Sequence, residues 1–178
     1  LSYSDPQQRQ EGGRTCGLPT TYDELCKYSI AYRKAIYAEL DPTVRSTLWV
    51  RHLRQYRRDH PDMSVEQRRV HGEIERMVAD VRTFRADPKE SIGGYEALTA
   101  ELIAAFGKEE ARALVATLGP VESPANSTRA ELMVACECQS IRPHDFCFFG
   151  QCSGLPSCTW QSGGCGWLYQ YPCDGMCT

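Results

Sequence analysis

The sequence predicts a mainly α protein: about five helices followed by a small, loop-rich, disulfide-rich C-terminal module. Two observations predict this division. Between residues 22 and 118, apolar side chains recur at helical spacing and are punctuated by capping residues, prolines and glycines. After residue 135 that pattern stops. Eight of the ten cysteines then follow, at Cys136, Cys138, Cys147, Cys152, Cys158, Cys165, Cys173 and Cys177, among glycines and aromatic rings with little charge. So short a stretch buries too little apolar surface to offset the entropy of ordering it, and cross-links relieve that by shrinking the unfolded ensemble. The boundaries are an extended polar N-terminal segment (1–15), a helical domain (16–120), a linker (121–135) and the disulfide-rich module (136–178).

In chain order, residues 1–15 are polar and aperiodic, with Pro6 and Gly12-Gly13. A partner chain or an internal groove is expected to hold this segment, and Tyr3 is its candidate contact residue. Cys16 and Cys26 flank a Gly17-Leu18-Pro19 turn, and either a bridge between them pins the tail to the first helix or they are two separately buried thiols. A helical pattern runs from Tyr22 to Leu40, with Ser29 as its breaking point and Tyr32, Ile36 and Leu40 on one face. Asp41-Pro42 caps a second helix reaching about Arg58, with Val44, Leu48, Trp49, Leu53 and Tyr56 as its apolar face. Ser64 and Gln67 form a capping box for a third, whose stripe is Val70, Ile74, Met77, Val81 and Phe84. Asp87-Pro88 and Gly93-Gly94 mark a connection. A fourth helix carries Leu98, Leu102, Ile103 and Phe106, and Gly107 caps its end. The fifth carries Ala111, Leu114, Val115 and Leu118 and stops at Gly119-Pro120. Thr128 and Glu131 suit one more short turn, and Asn126-Ser127-Thr128 matches a glycosylation acceptor or a plain turn.

Several function classes are disfavoured. A net charge of −3 argues against nucleic acid, and no basic tail or stacking platform accompanies the arginines. No apolar run approaches the roughly 18 residues of a membrane span. The chain opens on Leu1 rather than methionine, as after removal of a leader or trimming of a longer chain. Even cysteine counts in both parts are what closed disulfides require, and they place the protein in a secreted, extracellular setting. Metal binding is not expected, because eight thiolates with a single nearby His144 would need two nearly all-sulfur sites. No cofactor and no enzymatic activity are expected. No glycine-flanked nucleophile, phosphate loop or C-x-x-C pair is present, and His52, His60 and His71 fall on polar helix positions or a helix end.

Binding remains. Arg45, Arg51, Arg54, Arg57 and Arg58 share one helix face, and residues 87–131 are net acidic. That face is either solvated and paired within the chain or a docking surface for an acidic protein through Arg51, Arg54 and Arg58. Of the seven rings Phe146, Phe148, Phe149, Trp160, Trp167, Tyr169 and Tyr171, some pack over the disulfides and others face outward. Phe148, Phe149 and Trp160 are the leading outward candidates, and Trp167 joins them as a binding residue. Uncharged aromatic surfaces suit protein hot spots and glycan faces.

The order Cys136-Glu137-Cys138, Asp145-Phe146-Cys147, Cys152, Cys158 and Gly163-Gly164-Cys165-Gly166-Trp167 resembles fulvocin C, a small disulfide-rich bacteriocin. The upstream stretch TYDELCKYSIAYRKAIYAELDPTVRSTLWVRHLRQY resembles the helical region of larger fulvocin C-related proteins of actinobacteria and myxobacteria, and the likeness covers most of residues 18–178. Around Cys173 and Cys177 the spacing departs from the short peptide. The resemblance implies secretion and antagonism between bacteria, and supplies no catalytic residues. Two functions follow as expectations. One is a secreted adaptor joining other secreted proteins of an antibacterial assembly, or a target-cell surface protein or glycan. The other is a carrier whose C-terminal part is released as a bacteriocin peptide acting on target envelopes.

Overall fold

Helices form where the caps lie. The computed structural model describes residues 17–85, 88–121, 136–140, 146–147, 150–154 and 158–178, with side chains between 88 and 106 described from Tyr95 onward. Tyr3, Cys16, the 126–131 motifs, His144, Phe148 and Phe149 lie outside the described residues. Helix α1 (Tyr22–Leu25) is capped by the Thr21 hydroxyl, which accepts from the Glu24 amide. The chain breaks at Lys27–Ser29, and α2 (Ile30–Ala38) starts from Ser29. Helix α3 (Pro42–Asp59) is held by the Asp41 carboxylate, which accepts from the Thr43 and Val44 amides at 2.8 and 3.1 Å. The Ser64–Gln67 capping box opens α4 (Val65–Ala79), and both of its reciprocal hydrogen bonds are present.

Two helix ends differ from expectation. Asp80 leaves the helical conformation and caps a separate 3-10 turn, Val81–Phe84, so the predicted stripe is split after Ala79. Phe84 is nevertheless buried, because the tighter turn aims it at the same core. Helix α5 (Pro88–Phe106) then begins at its proline and runs through Gly93-Gly94, which the sequence pattern assigns to a connection. Two glycines weaken a helix by about 1 kcal/mol each relative to alanine, too little to stop one of this length. Gly107, at φ 80°, turns the chain into α6 (Lys108–Val115).

Helix α3 is the central strut, packing against α1, α4, α6 and the Val81–Phe84 turn. Its Leu48, Trp49 and Leu53 are fully enclosed, together with Val70, Ile74, Leu102, Leu114 and Leu118. In α2 the inward face is Arg33, Ile36 and Tyr37, with Leu40 beyond the helix end. Tyr32, assigned to that face from its spacing, is instead 67% exposed, because Arg33, Ile36, Tyr37 and Leu40 follow an i, i+3, i+4, i+7 stripe that leaves Tyr32 on its flank.

The C-terminal module is cross-linked by Cys136–Cys158, Cys138–Cys152, Cys147–Cys177 and Cys165–Cys173. Two small antiparallel ladders lie between them. Strand β1 (Cys152–Ser153) pairs with β4 (Met176–Cys177), and β2 (Gln161–Cys165) pairs with β3 (Tyr171–Cys173) across a register shift. Cys136, Cys165 and Cys173, with the partly buried Cys158, make a small sulfur core of their own.

The module is not merely appended. Phe146, Trp167, Leu168, Tyr169 and Tyr171 belong to the same buried cluster as the helices. Trp167, expected as a binding residue, is fully enclosed and is corrected to a core residue. Backbone at positive φ in Gly166 (63°), Leu168 (54°) and Tyr169 (60°) folds the chain tightly enough to bury three successive side chains. A Cβ on Gly166 would lie 2.7 Å from the Tyr171 ring. Left-handed backbone at Leu168 and Tyr169 costs about 1–2 kcal/mol per residue. Burying a large apolar side chain returns about 1.5–3 kcal/mol each, so three of them outweigh the strain.

Candidate functional site

The seam between helices and module begins with its anchors. The Trp167 indole stacks on Tyr95 at 5.2 Å with planes 10° apart, and its N–H donates to the Thr99 hydroxyl at 2.8 Å. Tyr169 meets Tyr37 and Trp49 edge-on at 5.5 and 5.7 Å, and its hydroxyl accepts the Leu118 amide at 3.0 Å. Gln170 donates to the Thr83 carbonyl at 2.8 Å. One short turn therefore touches α2, α3, α5, the Val81–Phe84 turn between α4 and α5, and the segment that follows α6.

Beside these anchors runs a groove of about 400 Å³. One wall is the outer face of α2, with Ile30, Ala31, Ala35 and Ala38; the other is Cys136 and the Gln161–Gly163 part of β2. A second cavity of about 240 Å³ shares Ile30, Lys34, Arg112 and Glu137 with it. Lys34 reaches under the module, its Nζ 3.8 Å from Cys165 Sγ and 5.5 Å from the Tyr169 ring centroid. Loss of hydration pushes Lys34 down to about 8, and the nearby Arg112 charge adds to the push while Glu137 opposes it. Trp160, immediately before β2, is 61% exposed.

A second cluster guards the exit from α6. Arg33 is buried and donates to the carbonyls of Tyr28 (2.7 Å), Leu118 (3.2 Å) and Pro120 (2.7 Å). His52 is also buried, against the expectation of a solvated polar-face residue, and so is His71, which bonds the Leu53 carbonyl at 2.9 Å. Each imidazole satisfies a backbone group inside the bundle, which a helix-face pattern does not reveal. The Gly119 amide can only donate to His52 Nδ1 (3.3 Å), so Nδ1 is the bare nitrogen and Nε2–H donates to the Ala113 carbonyl (2.8 Å). The Tyr22 hydroxyl lies 3.0 Å from the same Nδ1. Burial holds His52 down at about 4, so it is neutral.

Cys26 is a free thiol among the described residues, and the expected bridge to Cys16 lies outside them. Burial pushes its pKa up, the opposite of what an attacking thiolate needs. Together with Tyr22, His52 and Gly119 it lines a cavity of about 510 Å³ open to solvent. Both His52 nitrogens are engaged structurally, so the imidazole is not poised to take a proton from it.

Arg51, Arg54 and Arg58 are solvent-exposed and pair within the chain, whereas Arg45 is half-buried over the Tyr37 ring. Arg51 lies 3.9 Å from Asp23, Arg54 pairs with Glu75 at 2.9 Å, and Arg58 donates to Gln55 at 2.6 Å. Such exposed pairs contribute roughly 0–1 kcal/mol each, so they fix little, and Arg51, Arg54 and Arg58 line neither seam cavity. The sulfurs of Cys138, Cys147 and Cys152 lie within 4.8 Å of one another, but all three are in disulfides and offer no thiolate to a metal.

Among the described residues no helix is long and apolar enough to cross a membrane. Comparisons with family models, curated proteins and solved structures return no match to this chain. Of the groove residues, Lys34, Arg112 and Glu137 escaped the sequence pattern. The signal that could have exposed Lys34 is its setting on a helix face of alanines, Ala31, Ala35 and Ala38, too small for a core and too apolar for an ordinary solvated face.

Proposed function

We propose that the chain is a secreted, non-enzymatic binding protein, an adaptor in an antibacterial assembly, and that it acts intact. The observation that carries this reading is the burial of Trp167, Leu168 and Tyr169 in the helical core. A module released as a free peptide would bring those side chains into water and leave an apolar socket lined by Tyr37, Trp49 and Tyr95. That weighs against the carrier reading. Four disulfides and the shared core make the module a fixed platform, which lowers the ordering cost of binding. Among the described residues Trp160, immediately before β2, is the exposed large ring of that platform and the contact assigned to a partner. The raised Cys26 thiol and the structurally occupied His52 support a non-catalytic role. The antibacterial setting rests on the resemblance of the cysteine order to fulvocin C and of the upstream helical stretch to the larger fulvocin C-related proteins.

The test is to purify the full chain under native conditions from the fluid of a producing culture, beside a Trp160→Ala variant. A stoichiometric partner should accompany the intact chain and be lost from the variant while helicity is unchanged. A chain that purifies alone, or intact-mass detection of a free C-terminal fragment as the active species, contradicts the proposal.

A further inference from the structure

The charges in the seam groove do not balance. Lys34 on α2 and Arg112 on α6 line the same space, close enough for each to raise the cost of the other's charge. Glu137 lies across from them and offsets part of that cost, yet it forms no ion pair with either. Among the described residues neither cation is within 4 Å of a carboxylate, whereas Arg51, Arg54, Arg69 and Arg82 all are. Two cations held together in a partly dehydrated groove against one carboxylate leave room for one more negative charge. The rest of the lining suits a peptide. Methyl groups of Ala31, Ala35 and Ala38 form a shallow apolar wall, and the exposed Gln161 and Ser162 of β2 form a polar one.

We infer that this groove receives an extended acidic segment of a partner protein, with one carboxylate between Lys34 and Arg112 and small apolar side chains along α2. The inference rests on the binding-protein reading above and names the chemistry of its partner. An Asp or Glu carboxylate accepts from the Lys34 ammonium and the Arg112 guanidinium, and it needs no movement of the disulfide-held wall. Charge-assisted hydrogen bonds of this kind contribute about 1.5–3 kcal/mol, so neutralising the carboxylate should weaken binding by about tenfold or more.

The probes are Ac-Ala-Glu-Ala-NH2, its glutamine counterpart Ac-Ala-Gln-Ala-NH2, and octanoate, each titrated into the isotope-labelled full chain and followed by amide chemical shifts. The glutamate peptide should shift Ala31, Lys34, Ala35, Arg112 and Gly163 saturably, and the glutamine peptide should do so about tenfold more weakly. Lys34→Met and Arg112→Gln should each abolish the preference, whereas Arg58→Gln, an exposed residue that lines neither seam cavity, should leave it intact. If one groove variant fails to fold, the other still decides. Equal binding of the two peptides, no shift with either, or tighter octanoate binding at the same residues overturns the inference. Should the peptides fail while a partner still co-purifies and depends on Trp160, the adaptor reading stands without this groove. Should the glutamate peptide bind while no partner co-purifies, it is the adaptor reading that fails.

Discussion

The Trp167 ring lies flat on Tyr95, 5.2 Å between centroids, so a residue of the disulfide module completes a wall of helix α5. Neither partner is near the other in sequence, and neither ring is left to solvent. The helices and the cross-linked module therefore share one interior and should unfold together.

Replacing that ring should be felt throughout the protein. Trp167→Ala should destabilise the chain by about 3–5 kcal/mol, as expected for loss of a fully buried tryptophan. Trp160→Ala, at an exposed ring, should stay within about 0.5 kcal/mol of the parent. Urea unfolding followed by helical circular dichroism distinguishes them. An unchanged helical midpoint in Trp167→Ala would mean that the module sits on the helices without supporting them.

Acid should weaken the fold through His52. Its folded pKa is near 4 against an ordinary value near 6.5, with desolvation the main cause. Between those values the unfolded chain takes up a proton that the folded chain refuses, so stability is complete above about 6.5 and falls as pH drops toward 4. The loss approaches about 3 kcal/mol, at 1.36 kcal/mol for each pH unit of the shift. Burial lowers His71 as well, and acts in the same direction. His52→Gln keeps a donor and an acceptor but cannot titrate, so urea midpoints at pH 7.5 and 4.5 should differ less in that variant than in the parent. An equal pH slope in both would remove His52 as the cause.

Two glycines should respond oppositely to alanine. Gly119 has φ 93°, and a Cβ there would stand 3.0 Å from Arg33 Nη1 and 3.1 Å from Cys26 Sγ. Arg33 cannot yield readily, because three backbone carbonyls hold it. Gly119→Ala should cost about 1–3 kcal/mol. Gly72 sits inside α4, where an added Cβ would meet nothing within 4 Å, and Gly72→Ala should stabilise by about 0.5–1 kcal/mol. Thermal melts of the two variants give the signs directly, and a stabilised Gly119→Ala would contradict the packing around the α6 exit.

Much of the helical architecture was readable because caps are local. Asp41-Pro42, Ser64 with Gln67, and Gly107 each carry their own hydrogen-bonding or backbone requirement, and the helix ends follow them. What could not be read is what depends on distant partners. Trp167 looks like an exposed ring in a glycine-rich loop until Tyr95 and Thr99, about seventy positions earlier, are brought beneath it. His52 and His71 look solvated on a helix-face count, since the pattern does not show which backbone carbonyls they meet across the bundle. The groove escaped for the same reason: Lys34, Arg112 and Glu137 come from three separate segments, and only the tertiary fold brings them to one space. Cysteine clustering announced the cross-links, but pairing is a three-dimensional property, and sequence parity left it open.

Native-state hydrogen exchange tests the shared interior most directly. The amides of Leu118, Tyr169 and Tyr171 should exchange only through global unfolding, with the same opening free energy as Leu48 and Leu53 in α3. Exchange of Tyr169 and Tyr171 at clearly lower free energy than Leu48 and Leu53, with disulfides intact, would show a module that opens independently and would contradict the account.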